Sequence, residues 1–174
     1  THPLKVPPSG RSPAGAVTVR HGHCAKNPSG KDQLYPVEIK AIAEQHFSKV
    51  KAHPCSIDLG YEKSGKAYDE LIAGWVQYWN DVLGPSEPLE PNLIKALIAS
   101  ESGFNPKSLA DKKRKNSARG LTQITNATRK ALGDEKGEIK EHFITVTREE
   151  LDDPNVNICA GIRWLFQKRD LASR

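Results

Sequence analysis

The 174-residue sequence predicts a mainly α-helical protein. Three observations carry that prediction. Apolar residues recur at three- and four-residue spacing in several separate segments, as they do on the buried stripe of a helix. No run alternates apolar and polar residues for long enough to make a strand of any length. Proline stands at the start and glycine at the end of the periodic segments, where each is best tolerated.

The elements follow in order. Residues 1–34 are rich in Pro, Gly and Ser, carry no periodicity, and read as a linker or extended arm. His21, His23 and Cys24 cluster there, but without a second group at ligand spacing they read as a polar loop rather than a metal site. Pro36 to Lys51 is an amphipathic helix with Ile39, Ile42, Ala43, Phe47 and Val50 on one face, and His46 at the margin of that face reads as a packed residue. Residues 52–65 are irregular, broken by Pro54, Gly60 and Gly65. A longer helix runs from about Lys66 to Leu83 with Tyr68, Leu71, Ile72, Trp75, Trp79 and Val82 on its stripe. Two tryptophans one turn apart suit either a sugar-stacking groove or a core, and their place on the stripe favours the core. Gly84-Pro85 stops that helix. Further on, Thr125 caps a helix from Asn126 to Leu132 that Gly133 ends. Phe143 to Val146 reads as a short extended piece. Thr147 and Glu150 have capping-box spacing for a brief turn. Asp153 caps a last helix that Pro154 begins and that reaches about Lys168, with Ile158, Ile162, Leu165 and Phe166 buried.

The organising stretch is Pro91 to Phe104, a short helix with a stripe of Leu93, Ile94, Leu97 and Ile98. Continuing the stripe by three or four residues reaches Glu101. An acid on the buried side of a helix is desolvated in its charged form, which favours the protonated state that a general acid needs. The competing reading is a Glu at a frayed helix end, turned to water.

Composition narrows the function. The net charge of +5 and pI near 9.1 favour an anionic partner: nucleic acid, an anionic membrane surface or an acidic cell wall. Nucleic acid is disfavoured, because no helix-turn-helix, zinc finger or interleaved aromatics accompany the basic run Lys112-Lys113-Arg114-Lys115. That run reads as a solvated loop, or as an aid to holding an anionic polymer beside Glu101. No apolar run approaches the ~20 residues of a membrane helix. Cys24, Cys55 and Cys159 form no CxxC pair, so a zinc site of the usual form is not expected; a Cys24–Cys55 disulfide is allowed but not implied, and Cys159 reads as a small buried apolar side chain. Methionine is absent and the chain opens on Thr1, as expected of a processed form or an excised fragment.

Three separated blocks then coincide with a known pattern: Glu101-Ser102-Gly103-Phe104-Asn105-Pro106, Ala118-Arg119-Gly120-Leu121-Thr122-Gln123-Ile124, and Asp153-Pro154-Asn155-Val156-Asn157-Ile158 running on to Ala160-Gly161-Ile162-Arg163-Trp164-Leu165. In order and approximate spacing they resemble the soluble lytic transglycosylase domain, a relative of goose-type lysozyme, over about residues 86–170. The resemblance implies a lysozyme-like helical domain at 35–174: an N-terminal helical part at 35–85, then a catalytic core at 86–170, with 1–34 as the arm. It implies cleavage of the β-1,4 bond between N-acetylmuramic acid and N-acetylglucosamine in peptidoglycan. Glu101 would be the single acid/base, first protonating the leaving oxygen, then taking the proton of the muramyl 6-hydroxyl to give a 1,6-anhydro product. Ser102, Gln123, Thr125, Asn157 and Trp164 fall at substrate-binding positions. Thr125 stands where members often carry a methionine, and Trp164 where they carry a tyrosine whose hydroxyl an indole does not replace. Asp111 opens the alternative of a hydrolytic muramidase in which it positions water; a non-catalytic wall-binding domain is the other alternative. No cofactor or metal is implied. The expected partners are peptidoglycan glycan strands, not nucleic acid. An upstream domain, secretion machinery and an immunity or inhibitor protein are further partners that a secreted or injected effector allows. A monomer acting in the periplasm or outside the cell is expected.

Overall fold

The computed structural model describes residues 18–20, 23–26, 32–55, 59, 61–114 and 116–172. Its elements run β1 (Thr18–Arg20), β2 (His23–Lys26), β3 (Gln33–Leu34), α1 (Pro36–His46), α2 (Glu62–Lys66), α3 (Asp69–Leu83), α4 (Pro91–Ser102), α5 (Asn126–Leu132), β4 (Phe143–Ile144) and α6 (Pro154–Ala172), with 3-10 turns at Phe47–Lys49 and Glu149–Asp152. The mainly helical class predicted from periodicity is the one observed.

Helix α3 is the centre of the core. Trp75 and Trp79 are fully buried, and each indole N–H finds an acceptor on α6: Trp79 donates to the Cys159 carbonyl at 3.0 Å and Trp75 to Asn155 Oδ1 at 2.6 Å. Burial of such large rings is strongly favourable only when that polar edge is satisfied. The sugar-stacking alternative for these rings is thereby ruled out. Phe47 meets Trp75 edge-on at 5.0 Å and lies flat against Gly74, where a Cβ would come within 2.2 Å of the Phe47 ring. A glycine inside a helix is unfavourable by ~1 kcal/mol relative to alanine; here it makes room for an aromatic face.

The boundaries follow the punctuation. Gly84 and Gly103 end α3 and α4 in left-handed conformation, at φ of 54° and 57°. Thr125 Oγ1 accepts the Thr128 amide at 3.1 Å at the start of α5. Asp153 Oδ1 accepts the amides of Asn155 at 2.8 Å and Val156 at 3.2 Å at the start of α6. Thr147 and Glu150 cap each other's amides reciprocally. Several boundaries differ from expectation. The first helix tightens into a 3-10 turn after His46, α6 continues to Ala172, Glu62–Lys66 forms a short helix across the end of the stretch expected to be irregular, and α3 starts at Asp69 rather than about Lys66.

The end of the Pro- and Gly-rich stretch is docked. Gln33 and Leu34 pair in parallel with Phe143 and Ile144, and both are buried. Asp32 fastens the start of this pairing: its carbonyl accepts the Phe143 amide at 2.9 Å, its carboxylate accepts the His142 amide at 2.7 Å, and the same carboxylate pairs with His142 Nδ1 at 2.8 Å. Burial alone would raise the Asp32 carboxyl, but the hydrogen bonds and charges of His142, with the charge of Arg163, together hold it below the usual carboxylate range. His21 lies outside the described residues, as do the side chains of His23 and Cys24. Cys55 is an exposed free thiol, and Cys159 is buried and free.

Candidate functional site

Helix α4 positions the candidate acid. Ile94 and Ile98 are buried, and Lys95 anchors the opposite flank through Asp69 at 2.8 Å and the Cys55 carbonyl at 3.3 Å. Glu101 lies seven residues after Ile94, within about 20° of it around the helix axis. The helical phase read from the sequence is therefore right, but the burial is not: Glu101 is exposed. The packing that covers Ile94 and Ile98 stops short of the last turn. On the same open flank Leu93 is 55% exposed and Leu97 half-buried. Among the described residues Glu101 has no hydrogen-bond or ion-pair partner.

Beyond Glu101 the chain is held in tight turns. Ser102 donates its hydroxyl back to the Ile98 carbonyl at 3.1 Å, which closes the helix end rather than reaching the acid. Gly103 packs on Tyr61, leaving 3.1 Å between the tyrosine hydroxyl and any added Cβ. Phe104, at φ 61°, turns inward between Tyr61 and Tyr68. The Asn105 amide donates to the Ser102 carbonyl and the Ser108 amide to the Asn105 carbonyl, both at 3.1 Å.

Ser108 leads directly to the second block. Its carbonyl accepts the Gly120 amide at 2.9 Å and Gln123 Nε2 at 3.2 Å. Gln123 also donates to the Gly120 carbonyl at 2.8 Å, and these bonds hold it at φ 49°, a conformation that a non-glycine residue adopts at a cost. Its side-chain oxygen has no partner among the described residues. Thr125 is exposed, with its hydroxyl engaged in capping α5.

Asn157 is the residue whose place differs most from expectation. The resemblance put it among the substrate-binding positions; the structure puts it in the interior, 1% exposed. Its Oδ1 accepts the Thr122 amide at 2.8 Å and the Thr122 hydroxyl at 2.7 Å, while its Nδ2 donates to the carbonyls of Arg119 at 3.1 Å and Leu151 at 2.9 Å. Every donor and acceptor is used, so none is left for a sugar. Asn157 clamps the turn that carries Gln123. The two motif glycines have related causes. A Cβ on Gly120, at φ 79°, would meet Asn157 at 2.1 Å, and one on Gly161 would meet the Thr122 hydroxyl at 2.3 Å. The available signal for Asn157 was a polar residue directly before the apolar run Ile158-Cys159-Ala160.

Trp164 lies one turn beyond Gly161, on the side of α6 that faces Thr122. It is half-buried, and Lys168 Nζ sits 4.2 Å from its ring centroid. Asp111 is held in its own loop. Its Oδ1 accepts the Lys113 amide at 2.8 Å, its Oδ2 pairs with Arg114 at 3.3 Å, and its amide donates to Ser117 Oγ at 2.5 Å. The structure thus joins Gln123, Asn157 and the Trp164 face of α6 through Thr122, and ties them through Ser108 to the turns that follow Glu101.

Two other features lie apart from this assembly. A groove of about 560 Å³ between α1, α3 and the start of α6 is lined by Val37, Phe47, Leu71 and Val156, and no candidate residue lines it. Asp32, Glu141 and His142 bring potential ligand atoms within 4.8 Å of one another. The Asp32 carboxylate is already bonded to His142, however, and the buried Arg163 guanidinium donates to the carbonyls of Glu141 and His142. That cluster works as a fastening between β3 and β4.

No helix among the described residues is long and apolar enough to cross a membrane. No curated protein and no solved structure matches the chain. A family model does match: that of the transglycosylase SLT domain, over residues 84–170. The match contains all three sequence blocks, and with them the end of α4, the Gly120–Gln123 turn and the α6 face that packs on Thr122. At family level it implies lytic transglycosylase action on peptidoglycan. The chain belongs to the transglycosylase SLT family.

Proposed function

We propose that this chain is a catalytically competent peptidoglycan lytic transglycosylase with Glu101 as its acid/base. The observation that carries the reading is the family match over residues 84–170, whose first sequence block begins at Glu101. Glu101 itself stands in phase with the core-facing line of α4, open to solvent and with no partner among the described residues. In the first step Glu101 protonates the oxygen leaving C1 of N-acetylmuramic acid as the glycosidic bond breaks. In the second, the Glu101 carboxylate takes the proton of the muramyl C6 hydroxyl, whose oxygen closes on C1. The product carries a 1,6-anhydro ring and no water is consumed. Gln123 offers its unengaged side-chain oxygen to substrate N–H or O–H groups, and Trp164 offers a ring edge from α6. Thr125 borders the same turn and Ser102 holds the helix end. Asn157 acts by fixing the turn.

The hydrolytic alternative needs a second carboxylate to position water. Asp111 is the candidate, and its engagement with Lys113 and Arg114 favours the anhydro route. The place of action is the cell wall, in the periplasm or outside the cell.

Glu101→Gln keeps the shape and removes the acid. Sacculi incubated with the native protein should release muropeptides that mass spectrometry identifies by anhydro-muramyl ends, and the variant should lose that activity by at least ~100-fold, the lower range for a positioned acid or base. Undiminished release by the variant would refute the assignment of Glu101. Reducing ends in place of anhydro ends would replace the transglycosylase by a muramidase, and sacculus binding without release would leave a wall-binding domain.

A further inference from the structure

The loop between Pro106 and Gly120 is strongly basic over its first half. Lys107, Lys112, Lys113, Arg114 and Lys115 stand within nine residues, opposed by Asp111 alone, and Lys107, Lys112, Lys113 and Arg114 are exposed. The loop has a built base. Leu109 and Arg119 form an antiparallel bridge, the Ala110 amide donates to the Ala118 carbonyl at 3.1 Å, and the Gly120 amide donates to the Ser108 carbonyl at 2.9 Å. The bonds of Asp111 to Lys113 and Ser117 fold the tip back on itself. Since Gln123 is fixed to Ser108, the cations are carried on the turn that presents Gln123 to substrate.

The pyranose rings and N-acetyl groups of a glycan strand are neutral. Its charges lie on what hangs from the muramyl lactyl group, chiefly the carboxylates of the stem peptide. A strand stripped of peptide keeps only the lactyl carboxylate, held against the ring. We propose that the Lys107–Arg114 segment recognises stem-peptide carboxylates, so that the protein selects peptide-bearing strands over stripped ones. This rests on the reading of the site given above. The attraction acts within about 10 Å at ordinary ionic strength, and it weakens as salt shortens that reach.

The test compares intact peptide-bearing strands with strands stripped by an amidase. The native protein should show a kcat/KM ratio of roughly tenfold in favour of the peptide-bearing form at low salt, the sum of a few exposed charge contacts. In Lys107→Gln/Lys112→Gln/Lys113→Gln, which leaves the Arg114–Asp111 pair intact, the ratio should fall towards one, as it should for the native protein at high salt. An unchanged melting temperature confirms that the variant is folded. Co-sedimentation of Glu101→Gln protein with the two strands reports the same preference by binding alone. A binding preference without cleavage by the native protein would therefore sink the enzymatic reading and keep this one. Equal handling of both strands by the native protein overturns the proposal, and so does a preference that survives in the triple variant. Loop-dependent binding to poly(glycerol phosphate) or anionic vesicles, without a preference between strands, would reassign the loop to a phosphate-bearing partner.

Discussion

Replacing Asn157 by alanine tests whether the turn carrying Gln123 is held from beneath. The substitution leaves two backbone groups without a partner, the Thr122 N–H and the Leu151 carbonyl, while the Arg119 carbonyl keeps the Ile124 amide at 3.0 Å. At 1% exposure of Asn157, water does not replace the lost amide without opening the structure. An unsatisfied buried backbone group costs about 1–3 kcal/mol. Taking the low end for each, because the turn relaxes, gives a loss of roughly 2 kcal/mol against a total stability of about 5–15 kcal/mol for a domain. For a chain of this size each kcal/mol moves the melting temperature by about 2–4 °C, so thermal denaturation should show a fall of roughly 4–8 °C. Asn157→Asp is the control. It preserves the acceptor for Thr122 but sets a charged oxygen against two carbonyls, so at neutral pH it should cost at least as much as alanine. If Asn157→Ala melts within about 2 °C of the native protein, the clamp is not what secures the turn. If it melts early yet, at a temperature where it is fully folded, cleaves with unaltered kcat and KM, the turn does not position Gln123 for substrate.

Two further perturbations address the core and the N-terminal pairing. Gly74→Ala gains about 1 kcal/mol of helix propensity but drives a Cβ to 2.2 Å from the Phe47 ring; overpacking of 1–3 kcal/mol or more should win. Denaturant titration should show a net loss that Phe47→Leu partly restores, and a stabilised Gly74→Ala would refute the packing. For Asp32 the sign follows from its lowered carboxyl: its contribution is fully present above the unfolded value near 3.8 and is lost as pH falls through the lower folded value. Asp32→Asn should therefore be less stable than the native protein at pH 6, with the gap closing below pH ~3. A gap that persists undiminished at low pH would mean that the carboxylate charge plays no part.

Much of the helical skeleton was legible because local signals agreed with one another. Prolines 36, 91 and 154 and glycines 84, 103 and 133 marked the ends, and the period of Ile72, Trp75 and Trp79 marked the face that is buried. The helix that carries Glu101 was legible in phase but not in cover. Periodicity gives the direction in which Glu101 points, and only the tertiary structure shows whether anything lies there. The β3–β4 pairing was illegible because two residues on each strand carry no period, and their partners lie more than a hundred positions away. Asn157 was misplaced for a different reason. The resemblance supplied a position within a motif, and a motif keeps residues that build a site alongside those that touch the substrate.

The parallel pairing of Gln33–Leu34 with Phe143–Ile144 bears on how the chain reaches its native state. A strand this short has no partner until residue 144 has been synthesised and has left the ribosome, and closing so long a loop carries an entropic penalty that local helices do not face. Helices α1 and α3 are free to form early. Their burial under α6 and the seating of β3 come only with the last fifth of the sequence, so a polypeptide interrupted before that point would present Trp75 and Trp79 to chaperones and proteases instead of to a core.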